Sequence, residues 1–576
     1  YMSEGLRSSE QAMRQGICFG LSEILNSSSK RQIEDYVDVL VPALQQALCD
    51  RSDSVRSQAA KSFQTLFKSI GPAAIESVVP PLLRQIKENS EDDDDIVDTA
   101  NAILGLQGLV GARARDMIEY IVSITLVSPM TSKNCYVLGE LATIGGQCMQ
   151  YHCSKLVNSF VNEFIRLDDA KKSGDERSSD MLVKVSTCAK ACMGSMTTDA
   201  VNSLLQELSI YVNDEESVEC RRWGIYLLKC FVGSSKADFR EYLPLIFKGL
   251  LSRIAETNVS LIEETRDALS ALAHSVPAET LLSQLDFMRS CIASTASDAK
   301  FRQGGAALLN ADGELELPLL LLPKALEPFL AIYNHGLVNG QPERREACAL
   351  AMGELFLMTS SAAMKPYLIK TTGPLIRVVG DRFASSVKSA ILTTLGILLR
   401  KGGIALKAFA PQLQTTFVKA LSDASRQTRQ KAAAGLGLLT KVSTRTDGLL
   451  SELSNACTMA DSSAIRTSIF EAMTQALSQA SQPPSSGAIE KTLEAVINAL
   501  LTEDEEQPRN AACSGLGALS QFMDNDTVNS TISKLITQSS SSDVGISIGA
   551  IKGAASVASF SAPLGIESRK NLFTLI

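Results

Sequence analysis

The sequence predicts an all-α fold built from repeated pairs of antiparallel helices, and three observations support this. The chain has 576 residues, which is too long for a single compact core. Aromatic residues make up only 5% of it, with one tryptophan, and this composition is typical of stacked helices rather than of a β-sandwich. A similar stretch of helical sequence also recurs at a regular interval along the chain.

The recurring unit is clearest in two segments, 40–63 and 409–439. Each begins with an apolar helical segment that carries an early proline, which the first turn of a helix tolerates. An acidic, serine-containing turn follows, and its aspartate is expected to cap the next helix. That second helix is rich in small residues, which allow neighbouring helices to approach closely. The alignment pairs Leu48 with Leu421, Asp50 with Asp423 and Arg56 with Arg429.

The basic residue that opens the second helix can be followed through two parts of the chain, and members in neighbouring repeats lie 37 to 44 residues apart. Repeats of about 40–47 residues made of two helices are the signature of HEAT units, and the chain has room for roughly 13–14 of them. No single repeat buries its apolar stripe alone, so we expect a HEAT-repeat α-solenoid, a superhelical rod with a long binding surface. The basic series is Arg14, Arg56, Arg344, Lys388, Arg429, Arg466 and Arg509.

We expect three regions along the array. Residues 1–364 form the first HEAT repeats, with an irregular part at 88–205. Residues 365–480 form a basic binding segment, and residues 481–576 form C-terminal repeats that are cut short, since the chain ends within apolar sequence. Polar stretches that we expect to be loops lie at 88–98, 167–180, 481–487 and 539–542.

Composition limits the function. Three histidines leave little material for metal or acid–base chemistry, and a net charge of −8 argues against a general nucleic-acid binder. Thirteen cysteines, an odd number without dense spacing, predict reduced thiols in a cytoplasmic protein. We find no signal peptide and no apolar run near the roughly 20 residues that span a membrane. We therefore expect no membrane contact.

Two motifs that resemble sites of chemistry have simpler explanations. Residues 545–549 match G-x-S-x-G, but no histidine follows His335, so we interpret the match as a small-residue seam on a helix. Cys188 and Cys192 share a helix face without a second ligand pair, so we expect them to be buried small residues. No phosphate-binding loop occurs. The sequence predicts no catalytic residue, no metal, no cofactor and no small-molecule substrate.

The window from 365 to 445 is strongly basic. It holds fourteen Lys or Arg residues against two aspartates, so it carries +12 while the rest of the chain carries −20. Such a block attracts an acidic partner, although a merely solvated basic face is the alternative.

Lys388 and Arg429 belong to the repeat's own basic series and are expected to pair with turn aspartates. The cations left for a partner are Arg377, Arg382, Arg400, Lys401, Lys407, Lys419, Arg426 and Lys431. Sparse aromatic residues disfavour stacking on single-stranded nucleic acid, which leaves an acidic protein or a phosphate backbone.

The sequence at 371–383 (TTGPLIRVVGDRF) and at 387–423 closely resembles the C-terminal HEAT array of the general-control translational activator family. Residues 14–25 and 40–50 resemble earlier repeats of that family, and the likeness covers most of 10–480. Members of the family bind translating or stalled ribosomes. They recruit the amino-acid-starvation-sensing kinase that phosphorylates the alpha subunit of translation initiation factor two.

The resemblance implies that the window around 371–423 docks the kinase's N-terminal RWD domain, and that an arginine there is essential. Arg377 and Arg382 are the candidates, with Phe417 as apolar support. We therefore expect a non-enzymatic scaffold of translational control and the integrated stress response, which contacts the ribosome mainly through regions upstream of this chain.

Two alternatives stay open. One is a HEAT scaffold for transport or complex assembly, although a single tryptophan, Trp223, leaves no Asn/Trp ladder. The other is direct binding of ribosomal RNA through the basic block.

Overall fold

The computed structural model describes residues 2–86, 93–301, 308–380, 383–443 and 445–560. Helices make up nearly all of the regular structure in these ranges, which contain no strand beyond an isolated antiparallel bridge between Leu309 and Leu315. Backbone contacts divide the chain into two units, Tyr1–Pro277 and Ala278–Ile576. The helices of each unit pair and stack as predicted, so the all-α HEAT solenoid is confirmed.

The helices of the first unit are α1 Met2–Gly5, α2 Gln11–Ser27, α3 Lys30–Asp35, α4 Val37–Leu48, α5 Asp53–Ile70, α6 Ala73–Gln85, α7 Asp93–Ala112, α8 Ala114–Thr125, α9 Ser132–Met149, α10 Cys153–Lys172, α11 Arg177–Gly194, α12 Val201–Val212, α13 Val218–Ser234, α14 Leu243–Leu251 and α15 Val259–Ser275. The second helices of successive pairs, α2, α5, α7, α9, α11, α13 and α15, each pack on the next and form one layer. The first helices, from α4 to α14, lie against this layer and bury their apolar faces on it.

The helices of the second unit are α16 Ala278–Leu282, α17 Leu285–Phe301, α18 Pro318–Leu321, α19 Glu327–Asn339, α20 Pro342–Leu357, α21 Ser361–Met364, α22 Leu368–Val378, α23 Ser385–Gly402, α24 Ala410–Ala420, α25 Arg426–Val442, α26 Thr446–Met459, α27 Ser463–Ser478, α28 Ser486–Thr502, α29 Glu506–Ser520, α30 Asn525–Ser539 and α31 Val544–Phe560. Here α20, α23, α25, α27, α29 and α31 form the continuous layer of second helices.

At several positions of the basic series, the side chain that opens a second helix ties one pair to the next. Arg14 bonds to Asp50 of the following pair (Nε–Oδ2 2.7 Å) and donates to the carbonyl of Ser8 in its own turn. Arg466 makes the same kind of pair with Glu503. Because these guanidinium groups are held by carbonyls on one side and a carboxylate on the other, each crosslinks two successive repeats.

Two members of the basic series belong to the predicted binding segment. Lys388 Nζ lies 2.9 Å from Asp423 Oδ2 of the next pair, which confirms its predicted pairing with a turn aspartate. Arg429 does not pair with an aspartate side chain. It donates to the Asp423 carbonyl (2.9 Å) and to Ser468 Oγ (3.0 Å), because Ala460 occupies the position of the acid in the following turn.

Some predicted loops are helical. Residues 88–92 lie outside the described residues, but Asp93–Asp98 belongs to α7, since acidic residues are favourable in the first turn of a helix. The stretch at 167–180 is also mostly helical, and α10 and α11 leave only 173–176 between them. Ion pairs from Lys172 and Arg222 to Asp168 hold this end of α10 in place. Of the other two predicted loops, 481–487 and 539–542, residues 481–485 and 540–542 connect helices as expected, whereas 486–487 and 539 belong to helix ends.

The small-residue interpretations of the two motifs are confirmed. Gly549 lies on α31, and a Cβ there would overlap the carbonyl oxygen of Leu500 on α28. Cys188 and Cys192 are buried on α11, and no disulfide bond joins cysteines within the described residues. Within the described part of the chain, no cluster of His, Cys, Asp and Glu is suited to a metal ion.

One stretch, Ser385–Ala420, has the length and composition of a candidate membrane span. It consists of α23, a 3-10 helix at Gly403–Phe409 and α24, and half of its most apolar window is buried. Because α23 packs between α20 and α25, contacts with these helices account for its apolar composition.

Candidate protein-binding site

The predicted binding segment, 365–480, contains three successive helix pairs, and the predicted cations lie within the first two, α22 with α23 and α24 with α25. Within each pair the helices run antiparallel, so the turns that join them lie at one edge of the array. We call residues 376–380, 383–388 and 415–431 the turn edge. We call residues 398–410, 440–443 and 445–446 the linker edge, because they link one pair to the next. The helix α23 has 18 residues and spans about 27 Å, so it separates the two edges.

Four of the predicted cations lie at the turn edge with exposed side chains. Arg377 is in the last turn of α22, and Lys419 is in the last turn of α24. Arg426 and Lys431 are in the first two turns of α25. No ion pair is present at any of these four side chains within the described residues. Their charges are therefore available to an acidic partner.

A groove runs between the two turns at this edge. Its walls combine apolar side chains with threonine hydroxyls, and Lys419 lies on its rim. The lining residues include Ile376, Val379, Phe383, Thr415, Thr416, Lys419 and Ala420. The ring of Phe383 is held by the Arg345 guanidinium, 4.8 Å from its centroid. An apolar groove with a cationic rim suits a partner surface that is both apolar and acidic.

The ion pair of Lys388 and Asp423 closes one side of this groove. Burial alone would raise the pKa of Asp423, but hydrogen bonds from Lys388, from the Ser425 N–H and from Ser385 outweigh burial and lower the pKa. Asp423 is therefore ionised at neutral pH, and its charge is cancelled locally by Lys388. The net positive charge of the edge comes from the four exposed cations and from the buried Arg429, which hydrogen-bonds to the Asp423 carbonyl and Ser468 rather than to a carboxylate.

The cations at the linker edge are placed differently. Lys401 is only 5% exposed; its Nζ donates to the carbonyls of Leu357 (2.7 Å) and Thr359 (2.9 Å) and lies 3.1 Å from Glu314. The prediction that Lys401 binds a partner is therefore wrong, because its hydrogen bonds are used inside the fold. Arg400 also pairs with Glu314 (3.0 Å) but remains 49% exposed, and Lys407 is exposed.

Phe417 is also placed differently from its prediction. Its side chain is fully buried between α24 and α25, and a Cβ on Gly435 would overlap its ring. It supports the turn edge from within the core and cannot contact a partner. Arg382 lies outside the described residues.

Sequence reasoning missed Glu314, the acid that holds Arg400 and Lys401. It belongs to a tight turn between α17 and α18, where the Asn310 side chain accepts hydrogen bonds from the N–H groups of Asp312 and Glu314. This turn is not part of the helical repeat, so the repeat pattern carries no signal for it.

Three family models match the chain. Two are described as "Stalled ribosome sensor GCN1-like, HEAT repeats" and match residues 117–324 and 447–559. The third, "HEAT repeat", matches residues 40–70. The two GCN1-like matches together cover more than half of the chain.

Curated relatives align with nearly the whole chain. It is 31% identical to the stalled ribosome sensor GCN1 of Mus musculus over 93% of this chain and 19% of that protein. It is 29% identical to the eIF-2-alpha kinase activator GCN1 of Saccharomyces cerevisiae, over 90% of this chain and 18% of that protein. The protein ILITYHIA of Arabidopsis thaliana is 33% identical over 74% of this chain and 15% of its own length. The chain thus spans about a fifth of the length of the curated relatives it matches.

Among solved structures, the karyopherin Kap121p bound to the extreme C-terminus of the protein phosphatase Cdc14p aligns with 100% of this chain and 68% of its own, at a TM-score of 0.35 and 13% identity. In the structure, basic residues such as Arg14 and Lys388 link successive helix pairs. This stacking agrees with the two matches to GCN1-like HEAT-repeat models. On the evidence of these sequence matches, the chain belongs to the GCN1-like HEAT-repeat family.

Proposed function

We propose that this chain is the kinase-docking part of a ribosome-associated, cytoplasmic scaffold of translational control. It binds the RWD domain of the amino-acid-starvation-sensing kinase through residues 365–480 and promotes activation of that kinase on stalled or translating ribosomes. The names of the relatives, a stalled ribosome sensor and an eIF-2-alpha kinase activator, support ribosome association and kinase activation. The resemblance at 371–423 supports the RWD domain as the bound module.

The observation that carries this proposal is the turn edge, with its groove and four exposed cations. Charges at the rim of an interface mainly raise the association rate and select the partner, whereas a few buried contacts supply most of the affinity. The turn edge offers both parts. Arg377 and Lys419 attract carboxylates, and the apolar wall formed by Ile376, Val379 and Phe383 receives the side chains between them.

The test is the affinity of the chain for an isolated RWD domain, measured by titration calorimetry. Reversing both turn-edge charges (Arg377→Glu with Lys419→Glu) is expected to weaken binding at least about tenfold, or about 1.4 kcal/mol. The matched control reverses two exposed cations at the linker edge (Lys441→Glu with Arg445→Glu) and should leave the affinity within about twofold. All four side chains are exposed, so circular dichroism and melting should be unchanged. Equal binding by the turn-edge variant and the wild type would disprove this docking site.

Direct RNA binding is separated from protein docking by salt. Affinity for RNA that depends on phosphate contacts falls steeply and log-linearly with salt concentration. We therefore expect little retention of naked ribosomal RNA at about 150 mM salt, where the RWD complex persists. Strong RNA retention with no RWD binding would favour the RNA alternative over this proposal.

A further inference from the structure

A second surface stands out away from the turn edge, around the exposed side chains of Ile369 and Ile404. Ile404 is 79% exposed and Ile369 is 66% exposed. Ile369 lies in the first turn of α22, and Ile404 lies in the 3-10 helix at Gly403–Phe409. These two segments lie close together, because both contact Gly402 at the end of α23. A Cβ added to Gly402 would lie 3.0 Å from Leu368 Cδ2 of α22 and 3.3 Å from Leu406 Cδ1 of the 3-10 helix. We call Ile369, Ile404 and the lysines around them the isoleucine patch.

The backbone beneath the patch is well supported. Leu368 and Leu406, each adjacent to the patch, are buried, and Lys401 anchors the end of α23 through the carbonyls of Leu357 and Thr359. Gly403 has a positive φ of 48°, which sets the sharp turn that precedes Ile404. The exposure of Ile404 is therefore imposed by the fold, because its neighbours on both sides are fixed.

The charge around the patch is positive. Lys365, Lys370 and Lys407 have exposed side chains and no ion pair within the described residues. Of the nearby carboxylates, Glu314 is already engaged by Arg400 and Lys401. Glu327, in the first turn of α19, is exposed and forms no ion pair with these lysines within the described residues. The three lysines therefore lack carboxylate partners of their own.

We propose that the isoleucine patch docks an acidic amphipathic helix of a protein partner. The apolar side chains of that helix cover Ile369 and Ile404, and its carboxylates face Lys365, Lys370 and Lys407. A helix fits better than an extended peptide, because the described residues offer no strand edge to which a peptide could add. Protein fits better than RNA, because exposed aliphatic side chains give no stacking platform for bases.

This surface is independent of the proposed RWD site. The isoleucine patch lies at the start of α22 and just after the end of α23. Arg377 lies in the last turn of α22 and Lys419 lies in the last turn of α24, so both are at the turn edge. A partner of the isoleucine patch could therefore be held together with a module at the turn edge.

The test uses the whole chain and a fluorescent helical peptide with leucine at every third or fourth position and glutamate between. Fluorescence anisotropy should detect binding, and hydrogen exchange should show protection at 368–370 and 403–409. The double variant Ile369→Ser with Ile404→Ser is expected to weaken binding about tenfold or more. The matched control, Met459→Ser, removes another strongly exposed apolar side chain, at the end of α26, and should bind as the wild type does.

The comparison probes are a uridine homopolymer and vesicles that contain phosphatidylserine. Binding of either probe in place of the peptide would overturn the proposal, as would equal peptide binding by the double-serine variant. The same variant should bind the RWD domain normally. If the double-serine variant loses peptide binding but still binds the RWD domain, the result supports the isoleucine patch. If the turn-edge variant loses RWD binding, the result concerns only the proposed RWD site.

Discussion

Lys388 and Asp423 show how one ion pair connects two successive repeats. Lys388 lies in the first turn of α23, and Asp423 lies in the turn between α24 and α25. Asp423 also accepts hydrogen bonds from Ser385 Oγ and the Ser425 N–H. Because both partners are largely buried, removing one leaves the other without compensation, which is more destabilising than the loss of a surface ion pair.

We expect Asp423→Asn to lower the free energy of unfolding at neutral pH by about 1–3 kcal/mol. The folded-state pKa of Asp423 is lowered, so its stabilising effect is complete above the unfolded-state pKa and is lost as the pH falls through the folded-state pKa. Urea midpoints of wild type and variant should therefore differ by a constant amount between about pH 5 and 7 and converge below about pH 4. Asp461→Asn, at an exposed turn aspartate, is the control. A difference that persists at low pH would contradict this role of the carboxylate.

The repeat alignment predicts some of these residues well and others poorly. It places Lys388 correctly, because the basic position and the turn aspartate recur with the period of the repeat. It also pairs Phe417 with Leu44, a buried residue, so the alignment itself carried the signal that Phe417 is in the core. The burial of Lys401 had no such signal, since its partner Glu314 comes from a turn outside the repeat.

At the scale of the helix, α24 and α25 pack through a large residue set against a small one. Phe417 fills the space beside Gly435, where no Cβ fits. The sequence predicts helices and their small-residue seams from composition and period. It predicts helix ends less well, as the helical residues within 88–98 and 167–180 show, because caps and ion pairs between helices decide where each helix stops.

We expect Gly435→Ala to lower the thermal midpoint although alanine favours helix formation. The clash with Phe417 costs about 1–3 kcal/mol, which exceeds the gain of about 1 kcal/mol in helix propensity. The matched control is Gly448→Ala on α26, where nothing lies within 4 Å of the added Cβ, so that variant should be unchanged or slightly more stable. Combining Gly435→Ala with Phe417→Leu should recover part of the loss. A Gly435→Ala protein as stable as the wild type would show that the two helices can move apart freely.

Over the whole molecule, charge is divided unevenly, with +12 between 365 and 445 and −20 elsewhere. The fold further divides the basic block between two edges separated by the length of α23. The sequence predicts the basic block, because charge along the chain is visible without coordinates, and the acidic partner stays a prediction. The sequence could not predict this division, which depends on the direction of each helix and on which cations turn inward.

This division predicts how the proposed association with the RWD domain depends on salt. Exposed, unpaired cations at the turn edge act over roughly the Debye length, so they steer the encounter more than they hold the complex. Stopped-flow measurements should show an association rate that falls several-fold between about 50 and 300 mM salt, while the dissociation rate changes little. Charge reversal at Arg377 and Lys419 should flatten that salt dependence, and reversal at Lys441 and Arg445 should leave it steep. An association rate that does not change with salt would mean that apolar contacts in the groove alone select the partner.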